Sequence, residues 1–344
     1  MKKVLSLILS AALVFSLAAC GGSGSSSGSA PVAGAASGAS SASTGGEAPL
    51  IGYSLNSMDS TMKQMADFFE ETAKAAGWEP VLLNANGDVS AELANVESLI
   101  NMGCKAVVIM GCDNEGSAPA VKACGDAGVP CIIAGRAINA DEASYYTFVS
   151  GDHHLAGEVQ AKFVNDYLAA NPDEVLNIGF IYGQSGSSSV AARYQGFEDD
   201  CLSLPENEGR VNLVAEQYAE FDAEKAYNIT TDMLSTHPEI NCFVTQTDDQ
   251  AGGIINAVKA QGLSVEDYLI VSIDCSSTGI DYLKSGELDA TVLMAMRQLA
   301  VTAADYVQKA LDGESVEKAN PIPEYYQLAT AENVDELLKA NGMA

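Results

Sequence analysis

The chain has 344 residues, enough for one large or two medium domains, with 47% hydrophobic and 18% charged residues. Its formal charge of −29 argues against nucleic acid and anionic membrane surfaces as partners, because both require basic patches. The same acidic excess suits a soluble exported protein that must stay dispersed.

Residues 1–20, MKKVLSLILSAALVFSLAAC, open with Lys2 and Lys3, continue with an apolar stretch from Val4 to Leu17 and end on small residues before Cys20. The stretch is short for a membrane span and has the build of an export signal. Leu17-Ala18-Ala19-Cys20 resembles the bacterial lipoprotein box. That resemblance implies lipidation of Cys20, which becomes the mature N-terminus. A chance cysteine closing an ordinary export signal is the alternative. Residues 21–48 are almost entirely Gly, Ser, Ala and Thr, a composition that buries no core and acts as a flexible tether. Signal, acylated cysteine and tether together describe a body held to the extracytoplasmic face of a cell membrane, at a Gram-positive-type surface or in a periplasm.

From residue 49 apolar strand-like runs alternate with stretches of helical periodicity. The runs are residues 50–54, 80–83, 106–110, 131–134, 176–182, 211–215, 242–245, 269–273 and 290–293. Helical periodicity covers 62–76, 91–102, 118–127, 155–169, 223–234 and 251–261, with turn signals such as Gly77, Gly103 and Gly262 between. The alternation predicts parallel sheets covered on both faces. The pattern occurs twice, and so many strands exceed one compact layer, so two doubly wound lobes are expected. Ligands in such sheets bind beyond the carboxyl ends of the strands, here the cleft between the lobes.

Several local signals lead nowhere. The seven cysteines after Cys20 are odd in number and none has C-x-x-C spacing, so buried free thiols are expected and no metal site; a Cys124–Cys131 link stays open. His153-His154 near a helix start is expected to be solvent-exposed. The segment GQSGSSS (183–189) lacks the lysine of a phosphate loop, and its Ser187 sits in the wrong place for a nucleophile elbow. Asp248 and Asp249 are adjacent at a strand end and point apart, unlike a glycosidase carboxylate pair.

The blocks SLNSMDSTMKQMADFFEETAKAAGWE, ELANVESLINMGCKAVVIMGCDNEG, GVPCIIAGR, VAARYQGFED, TTDMLSTHPEINCFVTQTDDQAGGIINAVKAQG and IVSIDCSSTGIDYLKSGELDATVL resemble, in this order, the ribose- and galactose-type solute-binding proteins of ABC importers. This is a periplasmic-binding-protein-like type I family. The resemblance runs from about residue 49 to 313. It implies an α/β fold of two Rossmann-like lobes with parallel sheets and a three-segment hinge. Crossovers would fall near residues 150, 293–296 and 321–325, and a helix at about 297–312 would return to the first lobe. The lobes would then be 49–150 plus about 295–320, and 151–294 plus about 321–330, followed by a tail helix in 331–344.

The resemblance also implies site residues at strand ends. Arg136 sits where the family has the arginine of an Asp-Arg pair, with Gly135 in place of the aspartate. Arg193 opens the family's Arg-x-x-Gly-Phe stretch; read alone, it could be a surface helix arginine. Asp274 matches a carboxylate ending a second-lobe strand; read alone, it could cap the next helix. Asp248 falls in the family's Asn-Asp block, with Thr247 where asparagine is usual, and Asp249 could cap the helix that follows. Asn56 and Asp59 stand in the first loop, where the family's paired aromatics are missing. Met294 replaces a sugar-contacting glutamine. Tyr53, Tyr182 and Tyr194 are candidates for stacking, although buried tyrosine is more often core. Guanidinium and carboxylate groups with aromatic rings suit a solute rich in hydroxyls and C–H faces.

The resulting expectation is a solute-binding lipoprotein that captures a sugar-like polar solute by hinge closure and delivers it to an ABC permease and its ATPase. Arg136 and Asn56 would bind from one lobe, Arg193 and Asp274 from the other. It would be a monomer without cofactor or metal, touching the membrane only through its lipid. Gly135 and Met294 argue against ribose itself. The space left by Gly135 suits a larger solute, and an acidic or acceptor-rich one suits Arg136. Repressors of the same fold carry an N-terminal helix-turn-helix, which the tether here replaces. A receptor for a membrane histidine kinase or chemoreceptor shares fold and cleft and is the alternative; a glycoside hydrolase is a remote one.

Overall fold

The computed structural model describes residues 48–322 and 325–344. Cys20, the export segment and all but the last residue of the tether lie outside the described residues. The chain runs β1 (Leu50–Leu55), α1 (Ser60–Ala75), β2 (Glu79–Asn84), α2 (Val89–Asn101), β3 (Ala106–Ile109), α3 (Ala118–Ala127), β4 (Cys131–Ala134) and β5 (Thr147–Ser150). Then follow α4 (His153–Ala170), β6 (Leu176–Tyr182), α5 (Ser188–Phe197), β7 (Val211–Tyr218), α6 (Ala223–Thr236), β8 (Cys242–Thr245), α7 (Asp248–Ala260), β9 (Leu269–Asp274), α8 (Ser277–Ser285) and β10 (Ala290–Met294). The end is α9 (Met296–Leu311), β11 (Ala319–Pro321), β12 (Tyr326–Ala329) and α10 (Val334–Ala340).

Two six-stranded sheets result, ordered β11-β5-β4-β3-β1-β2 and β12-β10-β9-β8-β6-β7. Every pairing in the first is parallel. The second is parallel except for β12, which runs antiparallel to β10. The central strands AVVI, CIIA and CFVT are buried at every position, as strands covered on both faces must be. The α/β architecture of two doubly wound lobes is the one the alternation predicts.

The chain passes between lobes three times. β5 belongs to the first sheet, and α4 packs on α5 and β12 of the second lobe. β10 belongs to the second sheet, and α9 packs on α1, β3 and β4 of the first. The third passage joins β11 to β12. The passages lie side by side: Ile322 N–H donates to Ser150 O (2.8 Å), and Ala295 N–H to Tyr325 O (3.0 Å). The Tyr325 ring fills the place of a side chain at Gly151, where a Cβ would sit 2.1 Å from a ring carbon.

Some elements begin where local chemistry decides. α1 starts at Ser60, two residues before the periodicity suggests, because Asp59 accepts the Met62 N–H and caps it (2.8 Å). β5, of sequence TFVS, has a polar residue at each end and only two apolar ones between, so it does not stand out as the apolar runs of β3, β4 and β8 do. The seven described cysteines are all buried and unpaired. Cys124 and Cys131 touch as thiols, and that contact together with burial holds the Cys131 pKa well up. Among the described residues no helix is long and apolar enough to cross a membrane.

Candidate ligand-binding site

The carboxyl ends of strands from both sheets converge on one tight cavity, partly open to solvent. Asp59, Thr61, Gly135 and Arg136 face it from the first lobe, and Arg193, Phe221, Thr247, Asp274 and Met294 from the second. Met62, Met110, Met296 and Leu299 give it an apolar wall. His153 and Tyr325 enter from the hinge passages.

Arg136 leaves the end of β4 through Gly135, whose φ of +75° favours glycine. A Cβ there would also sit 2.7 Å from the Met110 methyl. The expected extra room beside Gly135 is therefore absent, because the Met110 side chain occupies it. Arg136 is 9% exposed. It donates to Gly111 O (3.5 Å) and, across the cleft, to Gln184 Oε1 (3.2 Å). Its guanidinium lies over the second lobe's Phe221 ring, 5.0 Å from the centroid. Burial and the Arg193 charge pull its pKa down to about 10, so it stays charged at neutral pH.

Arg193 is no surface arginine: it is 4% exposed. Two glycines seat it. A Cβ on Gly157 of α4 would lie 2.0 Å from Arg193 O, and one on Gly196 would lie 2.1 Å from His154 O. The α4 and α5 backbones therefore touch, and α5 aims Arg193 inward. Its Nη1 donates to Gln246 O (2.9 Å), its Nη2 meets the Met294 sulfur (3.1 Å), and its Nε is buried without a partner.

Asp274 ends β9 with φ +128°, followed by Cys275 at +54°. Two consecutive non-glycine residues at positive φ store backbone strain, a pattern concentrated at ligand clamps. Ser276 caps α8 by accepting the Gly279 N–H, so Asp274 is not the cap. Its Oδ2 accepts the Thr61 hydroxyl from the other lobe at 2.7 Å. Burial first, then the nearby Asp248 charge, raises its pKa well up, against a lowering by Arg193.

Thr247 lines the cavity and also caps α7. Asp248 does not face the cleft, contrary to the sequence expectation. Its carboxylate is fully buried and accepts bonds from Ser272, Thr291 and Ser276, tying β9, β10 and the start of α8 together. Burial pushes its pKa up to about 6, and those bonds pull the other way. Asp249 does not cap α7, whose cap is Thr247; it reaches the other lobe, where Ser60 at the start of α1 donates its N–H (3.3 Å) and hydroxyl (2.9 Å). Asn56 also misses the inner cavity. It lines the wider adjoining cleft with Gln184 and Glu220, sharing Asp59 and Phe221 with the inner cavity.

The stacking candidates are core residues. Tyr53 is fully buried against Phe69. Tyr182 and Tyr194 cluster around Phe180. The rings at the cavity are Phe221, in a turn where Glu220 and Phe221 both have positive φ, and Tyr325. No sequence signal marks either. His153 is likewise not a solvated residue. Its Nε2 is 2.5 Å from Gly135 O and its Nδ1 meets the Tyr326 hydroxyl. Burial and the Arg193 charge push its pKa down to about 3, so the ring is neutral, donating to Gly135 and accepting from Tyr326. His154 is the outward one, paired with Glu158 and Asp199.

The chain is similar to known proteins in sequence and fold. The ribose import binding protein of Escherichia coli (strain K12) is 27% identical over 258 residues, covering 75% of this chain and 83% of that protein. A putative rhizopine-binding protein of Rhizobium meliloti is 26% identical over 304 residues, covering 87% of this chain and 96% of its own. The crystal structure of an ABC transporter solute binding protein from Bacillus halodurans C-125, with bound myo-inositol, superposes with a TM-score of 0.76 at 27% identity, covering 87% of this chain and all of that one. The profile of the periplasmic binding protein domain matches residues 51–315, and the chain belongs to that family.

Proposed function

We propose that this protein is the extracytoplasmic solute-binding component of an ABC importer, anchored through an acylated Cys20, and that it captures a sugar or sugar-like polyol between its lobes. The observation that carries this reading is the interlobe cavity, where the buried Arg136, Arg193 and Asp274 meet the Phe221 and Tyr325 rings. Such a set offers charged hydrogen-bonding groups for hydroxyls and flat faces for C–H surfaces. The ribose import function of its relatives and the inositol held by its structural neighbour support it.

The mechanism is hinge closure. Thr61 with Asp274, Ser60 with Asp249, and Arg136 with Gln184 each pair residues from opposite lobes. A solute gripped by Arg136 and Arg193 adds to those bonds and shifts the population toward the closed form. A permease would read the surfaces of the closed lobes. The chain acts as a monomer, and no bond is made or broken in the solute. A thermal-shift panel of pentoses, hexoses, inositols, nucleosides and sugar acids on the full chain tests this. At 100 times its Kd a solute adds about 2.7 kcal/mol. A melt unmoved by every member, with nothing co-purifying by mass spectrometry, would sink the reading.

A further inference from the structure

We infer that the solute carries a carboxylate, and that the cavity is built for a sugar acid, an aldonate or uronate, in preference to a neutral aldose. The inference rests on the solute-binding reading above and names its substrate class. Two guanidinium groups, Arg136 and Arg193, line one cavity at 9% and 4% exposure. Among the described residues neither forms an ion pair. Buried charges are ordinarily paired, because leaving water without a counter-charge is costly.

The donors that remain define the missing partner. The side-on edge of Arg193 is formed by Nε and Nη2. Nε is buried and unpartnered, while Nη2 meets the Met294 thioether sulfur, a weak acceptor, and the Tyr326 hydroxyl is a further hydrogen-bond partner of the Arg193 side chain. The Tyr326 hydroxyl beside Arg193 is held neutral by burial. Two donors on one edge match the two oxygens of a carboxylate. The side-chain acceptor of Arg136 is the neutral amide of Gln184.

The cavity's own carboxyl groups do not fill this role. Asp59 spends one oxygen on the Met62 N–H and the other on the Ser57 hydroxyl. Asp274 takes the Thr61 hydroxyl and forms no ion pair with Arg193. Their presence argues for a singly charged carboxylate over a doubly charged phosphate, which they would repel more strongly. Asp59 and Asp274 act on Arg136 as charges at a distance, and Asp274 feels Arg193 in the same way, but neither carboxylate meets the open donor edge of Arg193. The facing wall of Met62, Met110, Met296 and Leu299 suits the C–H face of the same ring.

Titration calorimetry on the full chain tests the inference with galacturonate, glucuronate, galactonate and gluconate against galactose, glucose and their 1-phosphates. At least one acid should bind roughly 100-fold more tightly than its neutral counterpart, the worth of two charge-assisted bonds. Arg193→Gln and, separately, Arg136→Gln should each cut that preference about ten-fold, with the fold checked by circular dichroism. If either variant fails to fold, the wild-type comparison decides alone. A neutral sugar or sugar phosphate that binds as tightly as the best acid overturns the carboxylate inference and leaves the solute-binding reading standing. Failure of all of them, with no stabiliser in the wider panel, brings down that reading itself.

Discussion

Thr61, in the first turn of α1, donates its hydroxyl to Asp274, at the end of β9, across 2.7 Å. The two residues are 213 positions apart in sequence and belong to opposite lobes. The bond therefore reports closure, and it holds a carboxyl whose backbone is strained at φ +128°. Thr61→Val keeps the shape and deletes the hydroxyl. A buried acceptor left unpartnered costs about 1–3 kcal/mol. Affinity for the best solute should fall about ten-fold or more. Calorimetry that finds wild-type affinity would show that closure does not depend on this bond.

The Gly157 contact gives a second prediction. In Gly157→Ala the new methyl carbon would sit 2.0 Å from the Arg193 carbonyl oxygen. Backbone cannot rotate away as a side chain can, so α5 must shift and carry Arg193 with it. Overpacking of this kind costs about 1–3 kcal/mol. A lowered melting temperature should accompany a larger loss of solute affinity. A variant that melts earlier yet binds normally would separate Arg193 from the α4–α5 approach.

Much of this was legible in the sequence, and the limits have physical causes. Fully apolar runs such as CIIA announce parallel strands because both faces are buried. Arg136 and Asp274 stood out as charges at the ends of apolar runs, Arg193 only through the family resemblance, and the structure brings all three to one cavity. Asp248 looked equivalent to Asp274, but a one-residue step along the chain turns its carboxylate into a hydroxyl cage. His153 looked solvated because the chain has three histidines and none in a metal-binding motif; in space it meets residues 135 and 326. Phe221 reaches the cavity through positive φ at two non-glycine positions, a conformation that residue type does not advertise.

His153 also sets a pH dependence. Its folded pKa, about 3, lies below the ordinary 6.5. As pH falls below 6.5 the unfolded chain takes up this proton and the folded chain does not. The stabilising term is full above 6.5 and is lost toward pH 3, by about 1.4 kcal/mol per unit. Asp248 acts in the opposite sense. Its pKa is raised from 3.8 to about 6, so its term is full below 3.8 and lost as pH rises through 6. Asp274, also raised, has the same sign. Denaturation of His153→Gln at pH 7, 6, 5 and 4.5 should therefore show its stability gaining on the wild type as pH falls. A constant difference across that range would contradict the neutral, buried imidazole.

The central claim is that opposite lobes grip one solute through Arg136 and Asp274. It is tested most directly by calorimetric titration of the identified solute into the wild type, Arg136→Ala and Asp274→Ala. Each variant should lose roughly 100-fold or more in affinity while the solute-free protein still melts cooperatively. Wild-type affinity in both variants would contradict the account and place the solute elsewhere on the molecule.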